Sequence, residues 1–187
     1  VSAPFLESCT VHRPSIIVGD LITGFTNPFH GFYKPLRIVQ PFVEAFVGAS
    51  LEPGTLLEVL GMNGTDAKNL VPADWVSAVM TRIVGDRSLH GRTYHITSTR
   101  PTPTGTLCRV FEGLAAEMAR EVTAERAAGS ARAAAFDPAT LLRLFEDQMH
   151  VYRAYWSDDP RFDSTQCTAA VPDLPSPDLD EATIRRL

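Results

Sequence analysis

Apolar positions along this chain change their spacing several times, and each change marks an element. The run from Thr10 to Thr26, TVHRPSIIVGDLITGFT, gathers Val11, Ile16, Ile17 and Val18 around Arg13-Pro14 and ends in the small residues Gly19-Asp20 and Thr23-Gly24. That composition predicts a strand followed by a loop. In an α/β protein the loop after a strand's carboxyl end is where a ligand is met. The run is therefore expected to deliver the edge of a pocket.

Beyond it lies a Gly/Thr/Asn/Pro/aromatic loop, TGFTNPFHGFYKP, and then Val39, Phe42, Val43 and Phe46 at helical spacing. These predict a helix from about Pro35 to Phe46, with Pro41 as a bend and Gly48 as a stop. TLLEVL at 55–60 reads as a short strand and 61–64 as the turn after it. Asn69 to Pro72 reads as extended, and Asp74 as the cap of a helix with the stripe Val76, Val79, Met80, Ile83, ended by Gly85. Thr93 to Thr97 reads as the next strand, and 100–104 as a stiff connector. A long helix then carries Leu107, Val110, Phe111, Leu114 and Met118 on one face. Its Ala-rich continuation, 121–135, is expected to be exposed helix or flexible. Asp137-Pro138 starts another helix through Leu142, Phe145, Met149 and Tyr152. The tail, 172–187, begins Pro-rich and ends in a short helix starting at Ser176-Pro177.

Strands separated by helices predict an α/β fold. Only three or four strands are expected, fewer than a self-sufficient doubly wound sheet holds. The chain is therefore expected to be part of a larger unit.

Composition narrows the classes. The 187 residues are 44% hydrophobic and 21% charged, with a net charge of −5. That is ordinary for a globular chain, and without a basic block it argues against nucleic acid as a partner. A membrane is likewise not expected, because no apolar run reaches the roughly 18 residues a span needs. VSAPFLESC lacks the features of a signal peptide. Cys9, Cys108 and Cys167 are odd in number and far apart, which predicts reduced thiols and a cytoplasmic protein.

Candidate chemistry is sparse. Cys9 and His12 have C-x-x-H spacing without a second ligand pair, and read as a core thiol and a partly buried histidine; no metal site is expected. Asp158, Asp159 and Asp163 lack the spacing of a calcium loop. No G-x-S-x-G elbow, G-x-G-x-x-G turn or G-x-x-x-x-G-K loop occurs. The aromatic and polar loop Phe25 to Tyr33 remains, with His30 and Tyr33 as candidate acid/base or substrate-orienting groups, or as core and lid.

RPSIIVGD followed by TGFTNPFHGFYKPL resembles the second half of extended short-chain dehydrogenases/reductases. The closest groups are the NAD(P)-dependent epimerase/dehydratases and the acyl-thioester or fatty acyl reductases. NLVPADWVSAVMTRIV resembles the family's V-x-V-D-D-V-A segment, and HGRTYHITSTRPTP its G-x-x-Y-x-[IL] strand. RFDSTQCTAAVPDLPSPDLDEATIRRL resembles the carboxyl end of the acyl-reductase members. The family's G-x-x-G-x-x-G turn is absent. Its Tyr-x-x-x-Lys pair is absent too, since His30 and Gly64 stand four positions before the two lysines, Lys34 and Lys68.

The resemblance implies a Rossmann-type fold: the last strands of a parallel sheet plus a mostly helical substrate lobe. It implies one partial domain over 1–187, with sheet strands in 1–24 and about 90–100 and the lobe in 25–88 and 101–187. It implies that the catalytic pair lies upstream, so that no residue here is catalytic and NAD or NADP binds only with an N-terminal half. Pro14, Ser15, Ile16 and Ile17 would adjoin the nicotinamide. Gly24, Phe25, Thr26, Asn27, His30 and Tyr33 would line the cleft for a small-molecule substrate. Asp74 is expected to be structural, and Arg100 to meet a surface carboxylate. Two rival expectations stand beside this one. The first is a stand-alone, non-catalytic binding or interaction module, monomeric or homodimeric. The second is an unrelated small enzyme using His30, Tyr33 or the aspartates at 158, 159 and 163.

Overall fold

The computed structural model describes residues 8–26, 33, 54, 63–128 and 159–187. The helix expected at 35–46, the strand at 55–60 and the helix from Asp137 lie outside them, as do Asn27, His30 and Asp158.

The described elements run β1 (Val11–Pro14), β2 (Ile16–Val18), β3 (Ala67–Lys68), β4 (Leu70–Pro72), α1 (Ala73–Gly85), a 3-10 turn (Arg87–Leu89), β5 (Thr93–Ile96), β6 (Thr102–Pro103), α2 (Thr104–Ala127), α3 (Thr165–Ala170) and α4 (Glu181–Arg186). The fold is α/β with short parallel strands, as the alternation of patterns predicts. The chain divides into two compact units, 1–27 with 68–102 and 159–187, and 28–67 with 103–158.

In the first unit the expected single strand over Thr10 to Val18 is two, joined at Ser15. β1 pairs in parallel with β5, Val11 opposite Thr93 and Pro14 opposite Ile96. β2 pairs in parallel with β4, Ile16 opposite Leu70 and Val18 opposite Pro72. Successive N–H groups of a strand point to opposite edges. The Ser15 N–H accordingly donates to Ile96 O, and the next one, Ile16 N–H, to Asn69 O. One extended run thus serves two neighbours.

The core lies over this run. Val71, Val76, Val79, Ile83, Tyr94, Ile96, Cys167 and Val171 are buried together, with Ile17, Trp75 and Met80 packed against them. Val76, Val79 and Ile83 come from the α1 stripe. Each such side chain, fully buried, contributes on the order of 2 kcal/mol. Tyr94 satisfies its hydroxyl by donating to Leu89 O at 2.7 Å.

Two local readings need correction, and one helix is added. Pro72, not Asp74, is the residue before α1, and Asp74 sits in the first helical turn. The tail helix begins after Asp180, whose carboxylate accepts from Thr183 N at 2.8 Å, rather than at Ser176-Pro177. The side chain of Asp180 supplies the cap that Ser176 and Pro177 do not. α3 is an addition: only Cys167 of its six residues is buried, so its sequence shows little periodicity.

In the second unit α2 starts three residues before Leu107. Leu107, Cys108, Val110, Phe111 and Ala115 are buried along it, while Leu114 and Met118 are half-buried. Its first residue is tied to the preceding turn. The Thr104 hydroxyl donates to Asn63 O at 2.6 Å, and its N–H to Asp66 O at 2.7 Å. The Ala-rich continuation is helical as far as Ala127.

Candidate functional site

The junction between β1 and β2 is held by a buried polar cluster. Asn69, 3% exposed, stands just before β4. Its Oδ1 accepts from the Ser15 hydroxyl at 2.8 Å and from Ser98 N at 2.7 Å, and its Nδ2 donates to Ser98 O at 2.9 Å. Asn69 N donates to Asp159 Oδ2, and Lys68 Nζ donates to Asp159 Oδ1, both at 2.8 Å. The Lys68 side chain is 2% exposed and that of Asp159 19%. A buried ammonium is tolerated only when paired. Asp159 therefore fixes where the β3–β4 segment meets the chain after 158.

The second feature is the turn after β2, at the carboxyl edge of the β2–β4 pair. Asp20 Oδ1 accepts from Ile22 N at 3.0 Å, Thr23 N at 2.8 Å and the Thr23 hydroxyl at 2.9 Å. The Thr23 N–H and then its hydroxyl hold the Asp20 carboxyl below its ordinary range. Asp74 Oδ1 accepts from Leu21 N at 3.1 Å. Gly24 N donates to Asp20 O and Asp20 N to Phe25 O, closing the turn. Gly24 has φ 69°, a conformation that favours glycine. A Cβ there would lie 2.1 Å from Arg186 O. On the other side, Arg186 Nη1 donates to Leu21 O at 3.1 Å. The turn leaves Ile22 and Phe25 80% and 68% exposed.

The expected site residues fall as follows. Pro14 is exposed, and Ser15, Ile16 and Ile17 are half-buried. The amide donors of Ser15 and Ile16 are both engaged in the sheet. A nicotinamide beside this run would thus meet carbonyls, the Pro14 ring and the aliphatic faces of the isoleucines. Those groups fit one side of such a ring; a diphosphate has no glycine turn in this sequence to receive it. Gly24, Phe25 and Thr26 lie together in the turn. Tyr33 is buried, 3% exposed, within the second unit.

Other candidates resolve into structural roles. Cys9 is exposed rather than a core thiol. His12 stacks on Tyr94 with ring centroids 6.2 Å apart. Asp159 belongs to Lys68, while Asp163 accepts from Thr165 N at 2.9 Å; no group of three metal-binding side chains occurs among the described residues. Burial, then the Glu112 carboxylate, pushes the Cys108 thiol up to about 12, and burial raises that of Cys167. Neither forms a thiolate nucleophile near neutral pH. Arg100 meets a surface carboxylate, as expected, in a 2.9 Å pair with Asp178. No helix among the described residues is long and apolar enough to cross a membrane.

The roles of Asn69, Asp159 and Arg186 are not signalled by the sequence, although Asp159 stands among the candidate aspartates. Their partners lie tens to more than a hundred positions away, beyond any local pattern. The one local hint is Lys68, a lone lysine leading directly into the apolar stretch NLVP.

No protein-family profile matches this sequence, and no curated protein shows significant similarity to it. Its fold is shared with a solved structure, the terminal R domain from the myxalamid PKS-NRPS biosynthetic pathway. There 95% of this chain overlays 42% of that one, with a TM-score of 0.53 and 18% identity. The chain spans less than half the length of that domain, and likeness at this identity establishes the fold.

Proposed function

We propose that these residues form the substrate-binding portion of an NAD(P)-dependent oxidoreductase of the extended short-chain type, in the branch that reduces acyl thioesters. One observation carries the reading: nearly the whole chain overlays part of an R domain, while its segments resemble extended short-chain reductases in the family's own order. Of the two branches the sequence resembles, the R domain favours the reductase over the epimerase.

When bound, the nicotinamide supplies hydride to a carbonyl carbon. Pro14, Ser15, Ile16 and Ile17 form the wall beside its ring, and Gly24, Phe25 and Thr26 line the substrate cleft. The phosphate-binding turn and the Tyr-x-x-x-Lys pair must come from another segment, because these 187 residues contain neither. The three free cysteines support a reducing, cytoplasmic setting.

Fluorescence titration of NADPH tests the reading. The chain alone is expected to show no binding. Joined to a nucleotide-binding half that carries both motifs, it is expected to bind NADPH and to oxidise it when an acyl thioester is added. Nucleotide binding by the chain alone, or a joined protein inert toward thioesters, overturns the proposal.

A further inference from the structure

We infer that α4, the helix Glu181–Arg186, is the positioning element of the substrate turn, and that Ile22 is a specificity-determining contact for the apolar part of the substrate. The role of Ile22 rests on the reading above; the clamp does not.

Arg186 meets the turn at two places: its guanidinium donates to Leu21 O at 3.1 Å, and its carbonyl packs so close to Gly24 that a Cβ there would collide with it. Asp74 holds the neighbouring Leu21 N–H from α1. Leu21 thus has its donor tied to one helix and its acceptor to another. Asp180 caps α4 through Thr183 N, so the clamp is itself anchored.

A turn fixed at so many points has little freedom to fold its side chains inward. Yet it holds Ile22 and Phe25 in water, 80% and 68% exposed. Exposed apolar groups on a rigid turn at the carboxyl edge of parallel strands stand where ligands bind in open α/β sheets. Phe25 belongs to the expected cleft, and Ile22 shares its turn. The chemistry that fits an exposed aliphatic and an exposed aromatic side chain on one turn is an acyl chain, and burying it against them favours longer chains over acetyl.

Amide exchange and thioester binding, both on the 187-residue chain, test the two halves. Arg186→Ala is expected to speed exchange at Leu21 to Gly24 about tenfold, the equivalent of one charge-assisted hydrogen bond. Tyr94 and Ile96 in β5 should exchange as before, which shows that the unit is still folded. Arg186→Lys should restore part of the protection. Gly24→Ala, which keeps the guanidinium but drives a Cβ at the carbonyl, should loosen Ile184 in α4 and Leu187 just after it. Unchanged exchange in Arg186→Ala overturns the clamp.

For specificity, octanoyl and acetyl N-acetylcysteamine thioesters are titrated and followed by NMR. The octanoyl form should bind about tenfold more tightly to the unaltered chain. Ile22→Ser should reduce that ratio about fivefold with β5 exchange unchanged. A ratio untouched by Ile22→Ser overturns the role of Ile22. If neither thioester binds the unaltered chain, the substrate reading falls and the role of Ile22 with it, while the exchange result still decides the clamp.

Discussion

At the β1–β2 junction polar side chains hold the backbone in the dry; at the Gly19–Phe25 turn they hold it in water. Both places use one side chain to gather several polar groups, Asn69 in the first and Asp20 in the second. Distances are alike, between 2.7 and 3.0 Å. What differs is the alternative open to each group once its partner is lost. A freed donor at the turn finds solvent, so its bond adds little net stability. A freed donor beside Asn69 finds nothing, so the penalty is that of an unmet buried group. The junction therefore rests on a few strong ties, and the turn on the sum of several weaker ones.

The largest expected effects lie at the junction. Asp159→Ala takes from Lys68 its carboxylate and from Asn69 N its acceptor. It is expected to lower the unfolding free energy by about 4 kcal/mol in urea titration. Asp159→Asn, which can still accept from Asn69 N, should fall between. Asn69→Ala removes three hydrogen bonds at once, and about 3 kcal/mol is expected. If either variant melts like the original, the junction does not have the weight its burial implies. Thr97→Val has the opposite sign. The Thr97 hydroxyl is buried and finds no partner among the described residues, so replacing it with a methyl should leave stability equal or raise it by about 1 kcal/mol. A clear loss would show that the hydroxyl is satisfied in solution.

Acid gives the smallest effect, and it acts on the wet side. The Asp20 and Asp180 carboxyls are held below their ordinary value of 3.8, each by Thr hydrogen bonds. A group whose folded pKa is depressed adds stability that is complete above its unfolded value. That stability is lost as the pH falls through the folded one. Exchange protection at the turn and in α4 should therefore hold at neutral pH and decline only below about pH 4, before the buried core responds. Loss of turn protection between pH 5 and 7 would contradict this.

These differences also explain what could be read from the chain. α1 was legible because its apolar stripe is a local property: Val76, Val79 and Ile83 bury as their spacing requires. Its start was misplaced because Asp74 has the chemistry of a cap but serves Leu21, fifty-three positions away. The run over Thr10 to Val18 was legible as extended chain. Its division at Ser15 was not, since that depends on which neighbour each N–H faces. Gly24 to Thr26 were visible as a loop of small and aromatic residues. The grip of Arg186 was not, because nothing near Leu21 in sequence points to the tail. α3 offered no periodic signal, with Cys167 alone buried.

The shared run of β1 and β2 also bears on how the chain reaches its fold. Val11 must find Thr93 and Ile16 must find Leu70, so neither pairing can form as a hairpin. Parallel contacts between distant residues require loop closure before any reward, and they slow folding. During synthesis this run leaves the ribosome well before β4 and β5 and must wait for them. Until β4 and β5 arrive, Val11, Ile16, Ile17 and Val18 form a bare apolar edge, which makes this run the part of the molecule most open to wrong association.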